Sequence, residues 1–299
     1  MVYYIQTIRK GRVFMLYDVI IIGMGPAGIS AALYVKRAGM SCLIIGKDGG
    51  ALEKAEKIEN YYGLENVVSG HELIETGKKQ AKKLGAELIN AEAVGINWDG
   101  NYKIETTAGE FSAKAVILAV GSARNKAKIE GISDFEGMGV SYCAVCDAFF
   151  YRNKTVAVLG NGEYANHEIK ELLPTSAKVY LLTDGKNPET DFSSVEIKTE
   201  KIKKLYGEGK LQGIEFENGE KLEIDGLFVA LGTAGAADFA KKIGAETENN
   251  KIIVDEKMRT NLPGLFAAGD CIGGVLQVSV AVGEGAVAAM SAIEFVRKN

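Results

Sequence analysis

The strongest constraint on this chain is a strand–glycine turn–helix–strand unit that occurs twice. In the first, residues 18–22 (Asp-Val-Ile-Ile-Ile) lead into Gly23-Met24-Gly25-Pro26-Ala27-Gly28, residues 29–38 carry helical spacing, and residues 41–45 form a second apolar strand. A run that is apolar after its first residue is what a parallel strand buried on both faces requires. G-x-G-x-x-G between such a strand and a helix lets the main chain approach a phosphate at the helix N-terminus. About 137 residues later the pattern returns: a strand at 156–159, the turn Gly160-Asn161-Gly162-Glu163-Tyr164-Ala165, a helix at 166–173 and a strand at 179–182. One such turn is a weak signal. Two in the same context predict an α/β chain with two Rossmann-like nucleotide-binding domains.

The C-terminal segment adds a third element. Residues 263–270 (Pro-Gly-Leu-Phe-Ala-Ala-Gly-Asp) read as a strand ending in Gly269-Asp270, and residues 277–296 as a Gly/Ala-rich helix. An Asp just after such a strand accepts hydrogen bonds from sugar or polyol hydroxyls. The helix N-terminus at Gln277-Val278 favours an anion. A formal charge of −4 and a pI near 5.5 leave no footprint for nucleic acid. No apolar run is read as approaching the roughly 20 residues that cross a bilayer, so no membrane is expected. Residues 1–16 mix Arg9, Lys10 and Arg12 with isolated apolar residues and lack the pattern of a secretory signal. A short added strand or an appended extension is the plainer reading, and a cytoplasmic location is expected.

The four cysteines divide into two kinds. Cys42 and Cys271 stand alone among apolar neighbours, as inert core thiols do. Cys143 and Cys146 form a C-x-x-C followed by Asp147. Thiol–disulfide exchange needs a thiolate, and an isolated cysteine with a pKa of about 8.5 is mostly protonated at neutral pH; a C-x-x-C pair lowers one pKa and closes a short disulfide. Half a zinc site is the competing reading. It needs a second pair of ligands, for which the chain offers only His71, His167 and the two lone cysteines, so no metal is expected.

Over nearly its full length, residues 18–296, the chain resembles the low-molecular-weight thioredoxin reductases. The matching segments are the first glycine turn, Gly49-Gly50, Ile58-Glu-Asn60-Tyr-Tyr-Gly63, residues 115–121, residues 139–150 around Cys143-Ala-Val-Cys146-Asp147, residues 225–233 and residues 264–270. The resemblance implies an FAD domain made of residues 1–124 and 236–299, with residues 125–235 inserted as a second domain that carries the dithiol. It assigns FAD contacts to Gly23, Gly25, Pro26, Ala27, Gly28, Gly50, Asn60, Gly121, Gly269, Asp270, Gln277 and Val278. It further implies that Cys146 lies on the flavin side, Cys143 attacks the disulfide of thioredoxin, and Asp147 moves protons to and from the dithiol. Family members form homodimers, and the same is expected here.

The electron donor is where the resemblance breaks. Typical members take hydride from NADPH, through an open glycine turn and arginines after the next strand. Here Glu163 and Tyr164 replace small or neutral residues, Glu163 where the pyrophosphate belongs and Tyr164 as bulk over the same ground. A carboxylate about 4 Å from a phosphate repels it by about 4 kcal/mol at an effective dielectric near 20, about a thousandfold in affinity. A carboxylate in that place also satisfies the helix's free amides. The family's His-Arg-Arg run is replaced by Thr183-Asp184-Gly185, residues 186–199 contain no arginine, and the family's Arg-Gln pair reads Leu276-Gln277. Residues 125–235 hold 13 Lys/Arg against 18 Asp/Glu, a poor setting for a nucleotide tail. In this the chain looks like the flavin thioredoxin reductases that are reduced by ferredoxin. Such a route runs downhill, from about −400 mV to about −270 mV, or about 6 kcal/mol per electron pair. Two alternatives stand beside it: an NADPH- or NADH-dependent reductase, with Asp184 accepting from a ribose hydroxyl, and a flavin-bearing scaffold without turnover, against which the intact dithiol speaks. A last departure is Lys47, where an acidic residue usually holds the adenosine ribose.

Overall fold

The computed structural model describes residues 6–9, 12–121, 127–142, 144–231 and 236–299, and among these the side chains except at 6–9, 12–14, 145, 146 and 236–238. The chain divides into two compact units, Met1–Ala123 with Gly235–Asn299, and Arg124–Ala234.

In the first unit, β1 (Gln6–Arg9) and β2 (Arg12–Ile22) pair as an antiparallel hairpin, the short added strand expected near the N-terminus. The inner half of β2, with β3 (Cys42–Gly46), β4 (Glu87–Asn90) and β7 (Gly109–Leu118), makes a parallel sheet. The antiparallel strands β5 (Ala93–Trp98) and β6 (Tyr102–Thr106) extend it beyond β7. Helices α1 (Pro26–Arg37) and α2 (Gly70–Lys83) follow β2 and precede β4. Ile22 aligns with Ile45 on one side and Leu118 on the other. The chain therefore leaves β2 at the carboxyl edge of the sheet, between strands that return from opposite directions, which is where α/β folds bind ligands. Gly23 makes the turn at φ +120, where a side chain would come within 2.1 Å of the Ala119 carbonyl oxygen.

Residues from the other end of the chain complete this unit. After α5 (Ala236–Lys242) and the short pair β16 (Thr247–Glu248) and β17 (Lys251–Ile252), strand β18 (Leu265–Ala267) joins β7 in parallel. Helix α6 (Val278–Lys298) then packs on α1. Small residues permit the approach: Ser30 Oγ donates to the Val282 carbonyl at 2.7 Å, and any side chain at Gly285 would lie 2.1 Å from the carbonyl oxygen of Ala27. With a mean hydropathy of 1.4, α6 is long and apolar enough to cross a bilayer by length and composition, which corrects the expectation that no segment is. The alanines that raise its hydropathy (Ala281, Ala288, Ala289, Ala292) are buried in the core shared with α1 and the sheet.

The second unit is a five-stranded parallel sheet in the order β11 (Glu196–Lys198), β10 (Lys178–Leu182), β9 (Thr155–Leu159), β15 (Gly226–Val229), β8 (Val140–Ser141). A three-stranded antiparallel sheet of β12 (Ile202–Tyr206), β13 (Gly213–Phe216) and β14 (Lys221–Glu223) covers one face. On the other lie α3 (Ala144–Asp147), one turn long, and α4 (Glu163–Leu172), with Ala144, Tyr164, Ile169 and Leu172 in one core. Burying an aliphatic or aromatic side chain of this size contributes about 1.5–3 kcal/mol, so α4 is held chiefly through these residues.

Cys42, on β3, and Cys271 are free and buried. Burial pushes both thiols up to about 12, and Cys271 Sγ lies 3.2 Å from the Ala268 carbonyl oxygen and 3.4 Å from that of Leu118. A thiol so protonated and enclosed is a poor nucleophile. Native alkylation at pH 8 is expected to leave both unlabelled, and to label them once the chain is unfolded. Mass spectrometry of the peptides reads this directly, and labelling of either in the native chain contradicts the packing.

Candidate active site

In the first unit, the candidate cofactor contacts converge on the N-terminus of α1. Gly25 is its N-cap in extended conformation, Pro26 opens the helix, no side chain caps it and no acidic residue lies in its first turn. Helix N-terminal N–H groups lack intrahelical partners and carry a partial positive charge. At Gly25 a side chain would find only the Gly49 carbonyl, at 3.7 Å, so the main chain here is open to a ligand. Gly28, in contrast, is packed: a side chain there would sit 2.0 Å from the Gly23 carbonyl oxygen. Ala27 meets the C-terminal segment, with the Cβ position of Gly269 3.0 Å from its own. Gly269-Asp270 is thereby brought beside the turn, across more than two hundred residues of sequence. At the other end of this unit's site, Asn60 Nδ2 donates to Oε1 of Gln277 at 3.1 Å, and Gln277 is the N-cap of α6, whose first residue is Val278. Gly50 and Gly121 both have positive φ, and open space lies over the Cβ position of Gly121.

Two features of this unit were not legible in the sequence. Glu284 Oε2 accepts from the Gly269 N–H at 2.8 Å. Burial raises its pKa most, the Gly269 bond lowers it, and the charge of Asp270 raises it further, for a net upward shift. Glu92 Oε2 lies 3.7 Å from Nζ of Lys47, so a buried carboxylate from the neighbouring strand end stands where the acidic residue after β3 is missing.

In the second unit, Cys143 lies outside the described residues, and Cys146 lies in α3, its side chain likewise outside them. The residues around them are held tightly. Ser141 Oγ donates to Oδ2 of Asp147 at 2.6 Å. Tyr164 Oη donates to the Tyr142 carbonyl oxygen at 3.1 Å, and the Ala144 N–H donates to Glu168 Oε2 at 2.6 Å. Next along the chain, Phe149 and Phe150 are 73% and 66% exposed, edge to face at 6.1 Å.

The second glycine turn differs in kind from the first. Gly162 is the N-cap of α4, and Glu163 opens the helix. The carboxylate against the turn is that of Glu189: its Oε2 would lie 3.3 Å from a side chain at Gly162, its Oε1 accepts from Asn161 Nδ2 at 3.0 Å, and its N–H donates to the Asn161 carbonyl oxygen at 2.7 Å. The Glu163 carboxylate is engaged by Thr190 Oγ1 and makes no cap bond to the helix amides. The expectation that Glu163 itself satisfies those amides is thus corrected. So is the expectation for Tyr164, which is 2% exposed and points into the core instead of over the turn. Helical phase turns the second residue of α4 inward together with Ala165, Glu168, Ile169 and Leu172, and the glycine motif alone does not reveal it. Beyond β10, Asp184 Oδ1 accepts from the Ile202 N–H at 2.8 Å, which ties one oxygen of the proposed ribose acceptor to the main chain.

An open, uncharged helix start thus fits a phosphate-bearing ligand in the first unit, and a carboxylate-covered one does not in the second. The chain belongs to the pyridine nucleotide-disulphide oxidoreductase family, whose profile matches residues 17–285. It is 37% identical to the thioredoxin reductase of Aquifex aeolicus over 94% of this chain and 93% of that one. Among crystal structures, it is similar to the atypical thioredoxin reductase TRi of Desulfovibrio vulgaris Hildenborough, at 41% identity and a TM-score of 0.90, covering 95% of this chain and 99% of that one. It is also similar to a ferredoxin-flavin thioredoxin reductase of Clostridium acetobutylicum, at 34% identity and a TM-score of 0.73, with the same coverage.

Glu284 supplies a pH test. A carboxyl whose folded pKa is raised contributes stability that is full below the unfolded value and is lost as pH rises through the folded one. Glu284→Gln removes that loss while leaving an amide oxygen for Gly269. The urea midpoint of the variant, relative to the unaltered chain, is expected to be more favourable at pH 8 than at pH 4. A difference that is the same at both pH values contradicts the raised pKa.

Proposed function

We propose that this chain is an FAD-dependent thioredoxin reductase that takes its electrons from a reduced ferredoxin and not from a nicotinamide. The observation that carries the donor is the Glu189 carboxylate lying against Gly162 and Asn161, with Glu163 beside it in the first turn of α4. A dinucleotide's pyrophosphate there would meet two carboxylates, while residues 186–199 offer it no arginine, and each close pair costs about 4 kcal/mol at intermediate dielectric. The engagement of Asp184 weakens the NADH alternative in the same way.

Gly25 and the open N-terminus of α1 would hold the FAD pyrophosphate, Asp270 a hydroxyl of its ribityl or ribose chain, and the start of α6 at Gln277-Val278 the anionic edge of the ring. Bound FAD, reduced by two electrons from ferredoxin, would supply the electron pair that opens the Cys143–Cys146 disulfide. Cys143 thiolate then attacks the thioredoxin disulfide, forming one S–S bond as the partner's second sulfur leaves as a thiolate. Cys146 thiolate attacks Cys143, restores the internal disulfide and releases the thioredoxin dithiol. Asp147, held by Ser141, is placed in sequence to exchange the proton that accompanies the Cys146 sulfur. Phe149 and Phe150, an exposed aromatic pair next to the dithiol, suit a protein partner. A homodimer in the cytoplasm completes the reading.

The test is flavin bleaching under anaerobic conditions. Purified protein is mixed in turn with NADPH, NADH and chemically reduced ferredoxin. Bleaching by ferredoxin alone, with electrons passing to thioredoxin, is the expected outcome. Fast bleaching by either nicotinamide overturns the assignment of the donor.

A further inference from the structure

Helix α4 has lost the features that serve a nucleotide at its N-terminus, yet two of its inward side chains make specific polar contacts with the dithiol segment. Tyr164 and Glu168 are four residues apart, so they lie one above the other on the same face. Tyr164 Oη meets the carbonyl of Tyr142, the residue before Cys143; Glu168 Oε2 meets the N–H of Ala144, the residue after it. Both side chains are buried, Tyr164 at 2% and Glu168 at 1% exposure, and Ala144 is fully enclosed. A tyrosine or glutamate in a core is costly unless its polar atoms are engaged, and here they are engaged by the main chain on either side of one catalytic cysteine.

We propose that Tyr164 and Glu168 are positioning residues that clamp the peptide groups flanking Cys143, and that the Glu168 charge sets the redox poise of the dithiol. The inference rests on the reading of Cys143 and Cys146 as the redox pair. A short N–H to carboxylate bond of 2.6 Å is the geometry of a charge-assisted hydrogen bond. An anion held out of water at the Ala144 N–H, one residue along the chain from Cys143, disfavours a second negative charge on sulfur. It therefore favours the disulfide over the dithiol, and makes the dithiol a stronger reductant toward its partner. His167, whose Nδ1 lies 3.5 Å from Glu168 Oε1, is a neighbouring side chain on the same helix. Tyr164 contributes no charge; its part is to fix the chain so that Cys143 is presented in one geometry.

The two roles separate in two conservative variants of the full-length flavoprotein. Glu168→Gln keeps an acceptor for Ala144 and removes the charge; Tyr164→Phe keeps the ring and removes the hydroxyl. Two readouts are taken without any electron donor. One is equilibrium against dithiothreitol redox buffers, with Cys143 and Cys146 counted as alkylatable thiols by mass spectrometry. The other is a single turnover of the pre-reduced chain with oxidised thioredoxin, stopped with maleimide. Glu168→Gln is expected to shift the equilibrium toward the dithiol about tenfold, which is about 30 mV. Tyr164→Phe is expected to leave the equilibrium within about twofold and to slow the single turnover about tenfold, since misplacement of a reacting group costs rate more than affinity. Variants that merely unfold at lower temperature, with equilibrium and turnover unchanged, overturn the clamp while the dithiol reading stands. A wild-type pair that does not titrate at all overturns both.

Discussion

A helix that starts on a glycine turn presents main-chain N–H groups with no partner inside the helix, and what is allowed to reach them decides what each half of this molecule does. At α1 no side chain among the described residues caps them. Gly25 is open, Pro26 contributes no N–H of its own, and the first turn carries no acid. At α4 the same ground is held by the carboxylate of Glu189, hydrogen-bonded to Asn161, with that of Glu163 one residue into the helix. The two turns share a strand–turn–helix context and differ by a few charges. Those charges separate an open helix start from one that a carboxylate covers.

Beyond its covered N-terminus, α4 makes contacts of two further kinds. Its buried face fills the core of the second unit through Ile169 and Leu172, and its two buried polar residues reach the segment that contains Cys143. The same helix thus has a closed end and a working face. The first unit shows the converse economy. Ala27 is the meeting point of the first glycine turn, Gly269 and Gly285, so that residues from both ends of the chain surround one helix start.

Much of this was legible in the sequence, and the reason is local. The continuous apolar strands, the glycine turns and the C-x-x-C are short-range patterns, and their elements fall within a few residues of where spacing puts them, as with α1 at Pro26–Arg37 and α6 at Val278–Lys298. What was not legible depends on contacts between distant segments. Glu189 sits in a stretch notable in sequence only for lacking arginine, and its place against Gly162 follows from how residues 187–190 return over the turn. Tyr164 read as bulk above a ligand because the motif gives no helical phase, whereas burial turns it toward Tyr142. Glu168 and Glu284 carry no motif; their meaning lies in main-chain N–H groups that they accept from, those of Ala144 and Gly269.

The central claim is that Cys143 is the nucleophile toward a protein disulfide and Cys146 its resolving partner. The most direct measurement uses thioredoxin whose resolving cysteine is replaced by serine and whose remaining active-site thiol carries thionitrobenzoate. This is mixed with the pre-reduced Cys146→Ser chain. Stoichiometric release of thionitrobenzoate, with a one-to-one covalent adduct that maps to Cys143 and is reversed by dithiothreitol, is the predicted result. An adduct that forms as fast on Cys146 in the Cys143→Ser chain, or no adduct in either, would contradict the account.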